Sequence, residues 1–215
     1  MAETATTSTA VSWTQHGAWA DIAQAGQLGA AGPAGVTAIL QGGFGLATLI
    51  ATPGGAPALS GLVESRTGIT LPATPTIVSG ASHDAIWSGP EQWLLRAATH
   101  DGFAELLEAL SVQAAVSEQS DARAAVRLSG PQIRDALAKG VMLDLHPAAF
   151  AVGDTALTSI AHIGVHLWRL TDEPDGSVFE IMVARSMVGS FWSWFAASAA
   201  EFGCQVSIDR STGRG

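Results

Sequence analysis

The chain has 215 residues, 47% of them hydrophobic and only 13% charged, and its 10 basic and 19 acidic side chains give a formal charge of −9. That length supports one sizeable core or two small lobes sharing a sheet, and the acidic balance repels nucleic acid and anionic membranes, which argues against both as partners. A charged share about half the usual ~25% leaves a poorly solvated skin, so part of the surface is expected to be covered by another chain.

Residues 1–34 are rich in Ala, Gly, Ser and Thr and carry Trp13 and Trp19 without a helical or strand period. Two readings stay open for this stretch. It is an arm ordered on a neighbour with the tryptophans as anchors, or a leader whose tryptophans pack on their own domain. Its first residues, Met1 to Thr9, lack the basic start of a secretory signal, so a cytoplasmic location is expected. No Asp, Glu, Lys or Arg occurs from Ile22 to Val63. A spanning helix needs ~20 mostly apolar residues in a row, whereas Gln24, Gln27, Gln41 and the Gly32-Pro33, Gly42-Gly43 and Pro53-Gly54-Gly55 breakers interrupt this run. It reads as a charge-free stretch covered by protein.

From Gly35 the pattern tightens. Val36–Leu40 and Leu46–Ala51 are strand-like around Gly42-Gly43-Phe44-Gly45, which predicts a hairpin. Pro57 to Arg66 suits a short helix closed near Gly68. Asp84–Ser88 and Trp93–Ala97 bracket Gly89-Pro90-Glu91-Gln92 as a second hairpin. Asp101 is placed to cap a helix with Phe103, Leu106, Leu107 and Leu110 on one face, followed by a strand at Val112–Ser117. The cycle then repeats. Ala124–Leu128 is a strand, and Ser129 or Gly130 caps a helix from Pro131 to Lys139 that Gly140 stops. Strands follow at Thr155–Ile160, Gly164–Leu170 and Ser177–Val183, then a helix over Met187–Phe202 and a closing strand at Cys204–Ile208. Strand–helix–strand–strand–helix–strand, read twice, predicts an α+β fold of two ferredoxin-like βαββαβ halves, about 35–118 and 119–208. Each half is an antiparallel sheet with helices packed on one side, and 209–215 forms a tail.

Reactive clusters are sparse. Cys204, the lone cysteine, excludes an internal disulfide, a cysteine zinc site and an iron–sulfur cluster, and reads as a small buried hydrophobe. His162 and His166 have the i, i+4 spacing of helical metal ligands. Their β-branched, Gly-broken surroundings read as strand, which sets the imidazoles more than ~12 Å apart at a ~3.3 Å rise per residue, and no HExxH glutamate lies between them. Asp144 and His146 read as loop residues satisfying backbone groups before Pro147, since no partner nucleophile accompanies them. Ser88, Ser129 and Ser186 flank turns and read as caps, outside any Gly-x-Ser-x-Gly elbow. Gly42-Gly43-Phe44-Gly45 fails the nucleotide fingerprints, and no Gly-Lys-Ser/Thr follows. Arg185, at the start of the last helix, suits an anion or, more commonly, an acidic side chain of this chain or a partner. Phe191, Trp192, Trp194 and Phe195 crowd that helix beyond one face. Met187, Phe191 and Phe195 fill the core, and Trp192 or Trp194 is left for a second packed surface.

The phrases AIWSGPEQWLL (85–95), AAVRLSGPQIRDALAKGVMLDLHPAAF (124–150) and VARSMVGSFWSWFAASAAEFG (183–203) together resemble the gamma subunit family of heterotetrameric sarcosine oxidases. That family is a distant relative of the aminomethyltransferase (glycine cleavage T-protein) superfamily. The likeness runs from about Gly35 to Ile208. It implies a complex that demethylates sarcosine oxidatively to glycine with production of hydrogen peroxide, the one-carbon unit leaving as formaldehyde or 5,10-methylenetetrahydrofolate. It implies alpha, beta and delta partners: NAD and the folate-transfer domain on alpha, FAD on beta, FMN between them, and zinc on delta. For this chain it implies a cofactor-free, structural role with no catalytic, cofactor-binding or metal residues. Trp13, Trp19, Trp192, Trp194 and Arg185 are the expected interface set. The alternative is a stand-alone folate-binding aminomethyltransferase-like protein, which requires a pterin pocket with a carboxylate.

Overall fold

The computed structural model describes residues 16–209. Along them run β1 (Gly26–Leu28), β2 (Val36–Gln41), β3 (Gly45–Ala51), α1 (Ala56–Thr67), β4 (Ile77–Ser79), β5 (His83–Gly89), β6 (Gln92–Ala97), α2 (Phe103–Leu110) and β7 (Ala114–Glu118). Then come β8 (Arg123–Ser129), α3 (Ile133–Ala138), β9 (Thr155–Ile160), β10 (Ile163–Glu173), β11 (Gly176–Ala184), α4 (Val188–Ala199, flanked by single 3-10 turns) and β12 (Cys204–Ile208).

The strands form two sheets, ordered β4-β5-β6-β3-β7 and β1-β12-β2-β8-β11-β10-β9. In the first, β3-α1-β5-β6-α2-β7 is a strand–helix–strand–strand–helix–strand succession, and β4 extends its edge. In the second, β8-α3-β10-β11-α4-β12 repeats that succession, but β2 is inserted between β12 and β8. The expected β2–β3 hairpin is therefore not formed. The two strands belong to different sheets, and Gly42-Gly43-Phe44 carries the chain from one to the other. Nor is every pairing antiparallel, because β2 runs parallel to β12 with Val36 beside Cys204. The stretch read as an arm also joins the second sheet, through β1 pairing with β12.

Helices cover the outer face of each sheet, and the two inner faces meet, giving four layers. Leu59, Val63, Phe103, Leu107 and Leu110 of α1 and α2 pack on the smaller sheet. Ile133, Ala136, Leu137, Val188, Phe191, Phe195 and Ala199 of α3 and α4 pack on the larger. Between the sheets lie Phe44, Leu46, Ile86, Leu94, Ala125, Trp168 and Met182. This double coverage explains β11, where Val178 to Val183 are all buried without alternation.

Helix ends depart from expectation in an instructive way. No side chain caps α2 or α3. Gly102 (φ 70°) precedes α2 in place of an Asp101 cap, and Gln132 precedes α3. The Ser129-Gly130-Pro131 phrase serves another purpose. Gly130 has φ 113°, and a Cβ there would lie 2.5 Å from the Gly35 carbonyl oxygen, to which Gln132 donates its backbone N–H at 3.0 Å. The glycine lets the β8–α3 turn press against the entry to β2.

Candidate functional site

Ionisable groups converge where the two inner faces meet. Arg96 of β6 donates to both Asp84 of β5, at 2.7 Å, and Glu180 of β11, linking the sheets. Arg127 of β8 approaches the other Glu180 oxygen at 3.2 Å, and the Gln41 side chain bridges Glu180 and Arg96. Glu180 is fully buried, and a buried carboxylate is tolerated only when such partners satisfy it. Arg96 also lies 5.8 Å from the centre of the buried Trp168 ring. His166 of β10 donates from Nε2 to the Trp87 carbonyl across the sheets at 3.1 Å, and burial holds its pKa down to about 4. Its ring is therefore neutral and structural at neutral pH. Ser88 Oγ and Trp168 Nε1 are buried here without a partner, so Ser88 caps nothing.

Beside this cluster opens a cavity of about 460 Å³. The Trp19 turn, the β2–β3 crossing, the β7–β8 loop and the ends of β11 and β12 enclose it. Its apolar wall includes Trp19, Leu40, Phe44 and Ile208, and its polar groups include His16, His100, Asp121, Arg123, Arg185 and Asp209. Arg185 donates to the His16 carbonyl at 2.6 Å and lies 3.9 Å from Asp121.

The expected interface residues separate. Trp13 lies outside the described residues. Trp19 is only 5% exposed: its indole N–H points at the carbonyls of Gln41 and Ala125, at 3.2 and 3.1 Å, and its ring meets Trp192 edge-on at 5.8 Å. Trp192 is likewise buried by its own chain, against Phe195. Both pack in this chain's own core, which for Trp19 is the second of the two readings left open for residues 1–34, and for the last helix leaves Trp194 as the tryptophan that faces outward. Trp194 is half-buried over Gly140, where a Cβ would stand 2.6 Å from the indole. Arg185 is also half-exposed. Met187, expected in the core, is exposed.

His162 sits in the β9–β10 turn with φ 68° rather than within a strand, while His166 is buried between the sheets. The helical-ligand spacing thus joins two unrelated sites. Among the described residues no three His, Cys, Asp or Glu side chains gather around one point, and no helix is long and apolar enough to cross a membrane. Asp144 accepts from the His146 N–H, and His146 Nδ1 accepts from Ala148, both within the loop. Burial raises the pKa of the Cys204 thiol to about 11, so it is no nucleophile. The Arg96–Glu180 link went unread in the sequence. Its one available signal was a lone Glu inside the otherwise apolar run Val178–Val183.

These features define an α+β protein of two facing sheets pinned by a buried ionic cluster. Its fold is shared with the glycine cleavage system aminomethyltransferase T of Bartonella henselae (TM-score 0.53, 12% identity, covering 81% of this chain and 48% of that one). Residues 52–201 match the family described as sarcosine oxidase, gamma subunit, and the chain belongs to that family. The curated sarcosine oxidase subunit gamma of Corynebacterium sp. (strain U-96) is 30% identical over 144 residues, 65% of this chain and 68% of the relative. That of Arthrobacter sp. is 36% identical over 110 residues, about half of either chain (49% and 54%). A chain in the structure of heterotetrameric sarcosine oxidase from Corynebacterium sp. U-96 in complex with pyrrole 2-carboxylate aligns with TM-score 0.68 and 30% identity, covering 80% of this chain and 87% of that one. The family resemblance carried by the 85–95, 124–150 and 183–203 phrases is confirmed.

Proposed function

We propose that this chain is the cofactor-free, structural gamma subunit of a heterotetrameric sarcosine oxidase, held by alpha, beta and delta subunits. One observation carries the reading: the chain belongs to the gamma-subunit family and aligns along 87% of a chain in such a heterotetramer. In this reading the larger subunits, with FAD, FMN and NAD, demethylate sarcosine to glycine and reduce oxygen to hydrogen peroxide. Tetrahydrofolate takes up the one-carbon unit on alpha, or the unit leaves as formaldehyde, and zinc belongs to delta. This chain supplies no catalytic residue. Its glycine-rich segment links two sheets instead of joining a strand to a helix, which supports the absence of a dinucleotide cradle. Trp194, Arg185 and Trp13 belong to the subunit interface, and the complex is cytoplasmic. The strand orders β7-β3-β6-β5 and β12-β8-β11-β10 (leaving out β2) support two ferredoxin-like halves near 35–118 and 119–208, with β1 and β2 added to the second.

Co-expression tests the reading. Affinity-tagged chain should be recovered in equal amounts with two large flavoprotein subunits and a small zinc-binding one, and should precipitate or self-associate when made alone. A soluble monomer that binds tetrahydrofolate unaided would instead make it a stand-alone aminomethyltransferase-like protein.

A further inference from the structure

From the cavity beside the ionic cluster, we infer that this chain binds a small organic carboxylate, its anionic head on Arg123 and its apolar body against the edge of Phe44 and the exposed Ile208. The volume, about 460 Å³, falls within the ~300–1,000 Å³ of small-molecule sites. Mostly apolar walls with a few convergent polar groups are the lining such ligands require.

Arg123 decides the chemistry. Among the described residues, Arg96, Arg127, Lys139, Arg169 and Arg185 all pair with acids, while Arg66 and Arg134 are exposed to water. Arg123 alone is half-buried with no hydrogen-bonded or ion-paired acceptor on its guanidinium. A partly desolvated guanidinium without a counter-charge is costly, and its planar fork matches a carboxylate. It projects from the inner face of β8, close enough for its charge to oppose protonation of the buried His166. The acids that line the cavity sit at its wet edge: Asp121 is 86% exposed and turned towards Arg185, and Asp209 is exposed. Solvent weakens their hold on Arg123. Arg185 and two exposed histidines, His16 and His100, also line the cavity. The apolar wall, with Ile208 still exposed to solvent, favours an organic acid over an inorganic one, because a hydrated phosphate gains nothing from apolar contact.

The test is calorimetric titration with benzoate, benzamide and inorganic phosphate. It uses the full-length chain, or the complex if the chain is recovered only with partners. Benzoate should bind at one site per chain, and the neutral benzamide at least about tenfold more weakly. Arg123→Gln should lose at least about tenfold in benzoate affinity and Arg123→Lys less, while Arg185→Gln, already committed to His16 and Asp121, should change it modestly. In the complex, the Arg123→Gln form should bind one equivalent fewer than wild type. The inference is overturned if benzoate does not bind, if benzamide binds equally, or if Arg123→Gln binds as wild type. Phosphate displacing benzoate at equal concentration would also overturn it, by reducing the site to a general anion trap. Should Arg123→Gln fail to fold by circular dichroism, the Lys variant and the benzoate–benzamide ratio on wild type still decide.

Discussion

Glu180 and His166 are single residues on which the meeting of the sheets depends. Removing one partner of a buried ion pair strands the other, at a cost of about 3–5 kcal/mol. Glu180→Gln should therefore lower the urea-unfolding free energy by about that amount, since Arg96 would keep Asp84 as its one carboxylate partner and Arg127 would lose its own. A change below about 1 kcal/mol would mean the cluster is wet. His166 sets a pH dependence. Its folded pKa, about 4, lies below the unfolded 6.5. The unfolded chain therefore takes up the proton first as pH falls. The stability His166 contributes is complete above pH 6.5 and is lost as pH falls towards 4, each pH unit being worth about 1.4 kcal/mol. Between pH 7.5 and 5 the wild type should lose about 2 kcal/mol more than His166→Gln. Parallel pH profiles for the two would contradict this. Neither residue was singled out correctly from the sequence. In the sequence Glu180 is one acid among 19 acidic residues and His166 reads only as half of a metal pair, because the strand across the gap that makes each one buried is remote in the chain.

Element by element, α4 was legible as a helix, but its orientation was not. Its aromatics crowd several faces, so periodicity could not say which tryptophan faces inward. The structure assigns Trp192 to the contact with Trp19 and Phe195, and leaves Trp194 half-covered over Gly140. Trp192→Ala should destabilise the fold by about 3–5 kcal/mol, and Trp194→Ala by less than half of that while weakening co-purification with the larger subunits. Equal thermal losses with unchanged assembly would contradict the distinction. At the β8–α3 turn, Gly130→Ala should cost at least the ~1–3 kcal/mol of a strained backbone, with the close Gly35 carbonyl adding to it. A variant with the wild-type melting temperature would show that the turn has room to relax. Capping by Ser129-Gly130-Pro131 is a short-range inference, whereas the approach of Gly35 to Gly130 depends on a segment far earlier in the chain.

For the whole molecule, the two sheets share an interior of apolar contacts and ion pairs, which makes them one cooperative unit despite the repeated succession along the chain. Urea unfolding followed by tryptophan fluorescence and by far-ultraviolet circular dichroism should give coincident transitions. Tryptophans stand in both halves, Trp87 and Trp93 in one and Trp168 and Trp192 in the other, so separate unfolding would split the curves. The scarcity of charge had suggested cover by a partner. Part of the explanation is internal, since the charge-free stretch contributes β1, β2 and β3 to two sheets and packs Trp19's neighbours into the core.

Local pattern sufficed for what depends on neighbours in sequence: most of the succession of strands and helices, the α+β class and the family phrases. Tertiary structure alone decided that β2 leaves β3 to lie between β12 and β8, that Trp19 and Trp192 face each other, and that Arg96 and Glu180 meet across two sheets. Strand partners, and the burial they create, come from free energy summed over residues far apart in the chain, and no short stretch carries that sum.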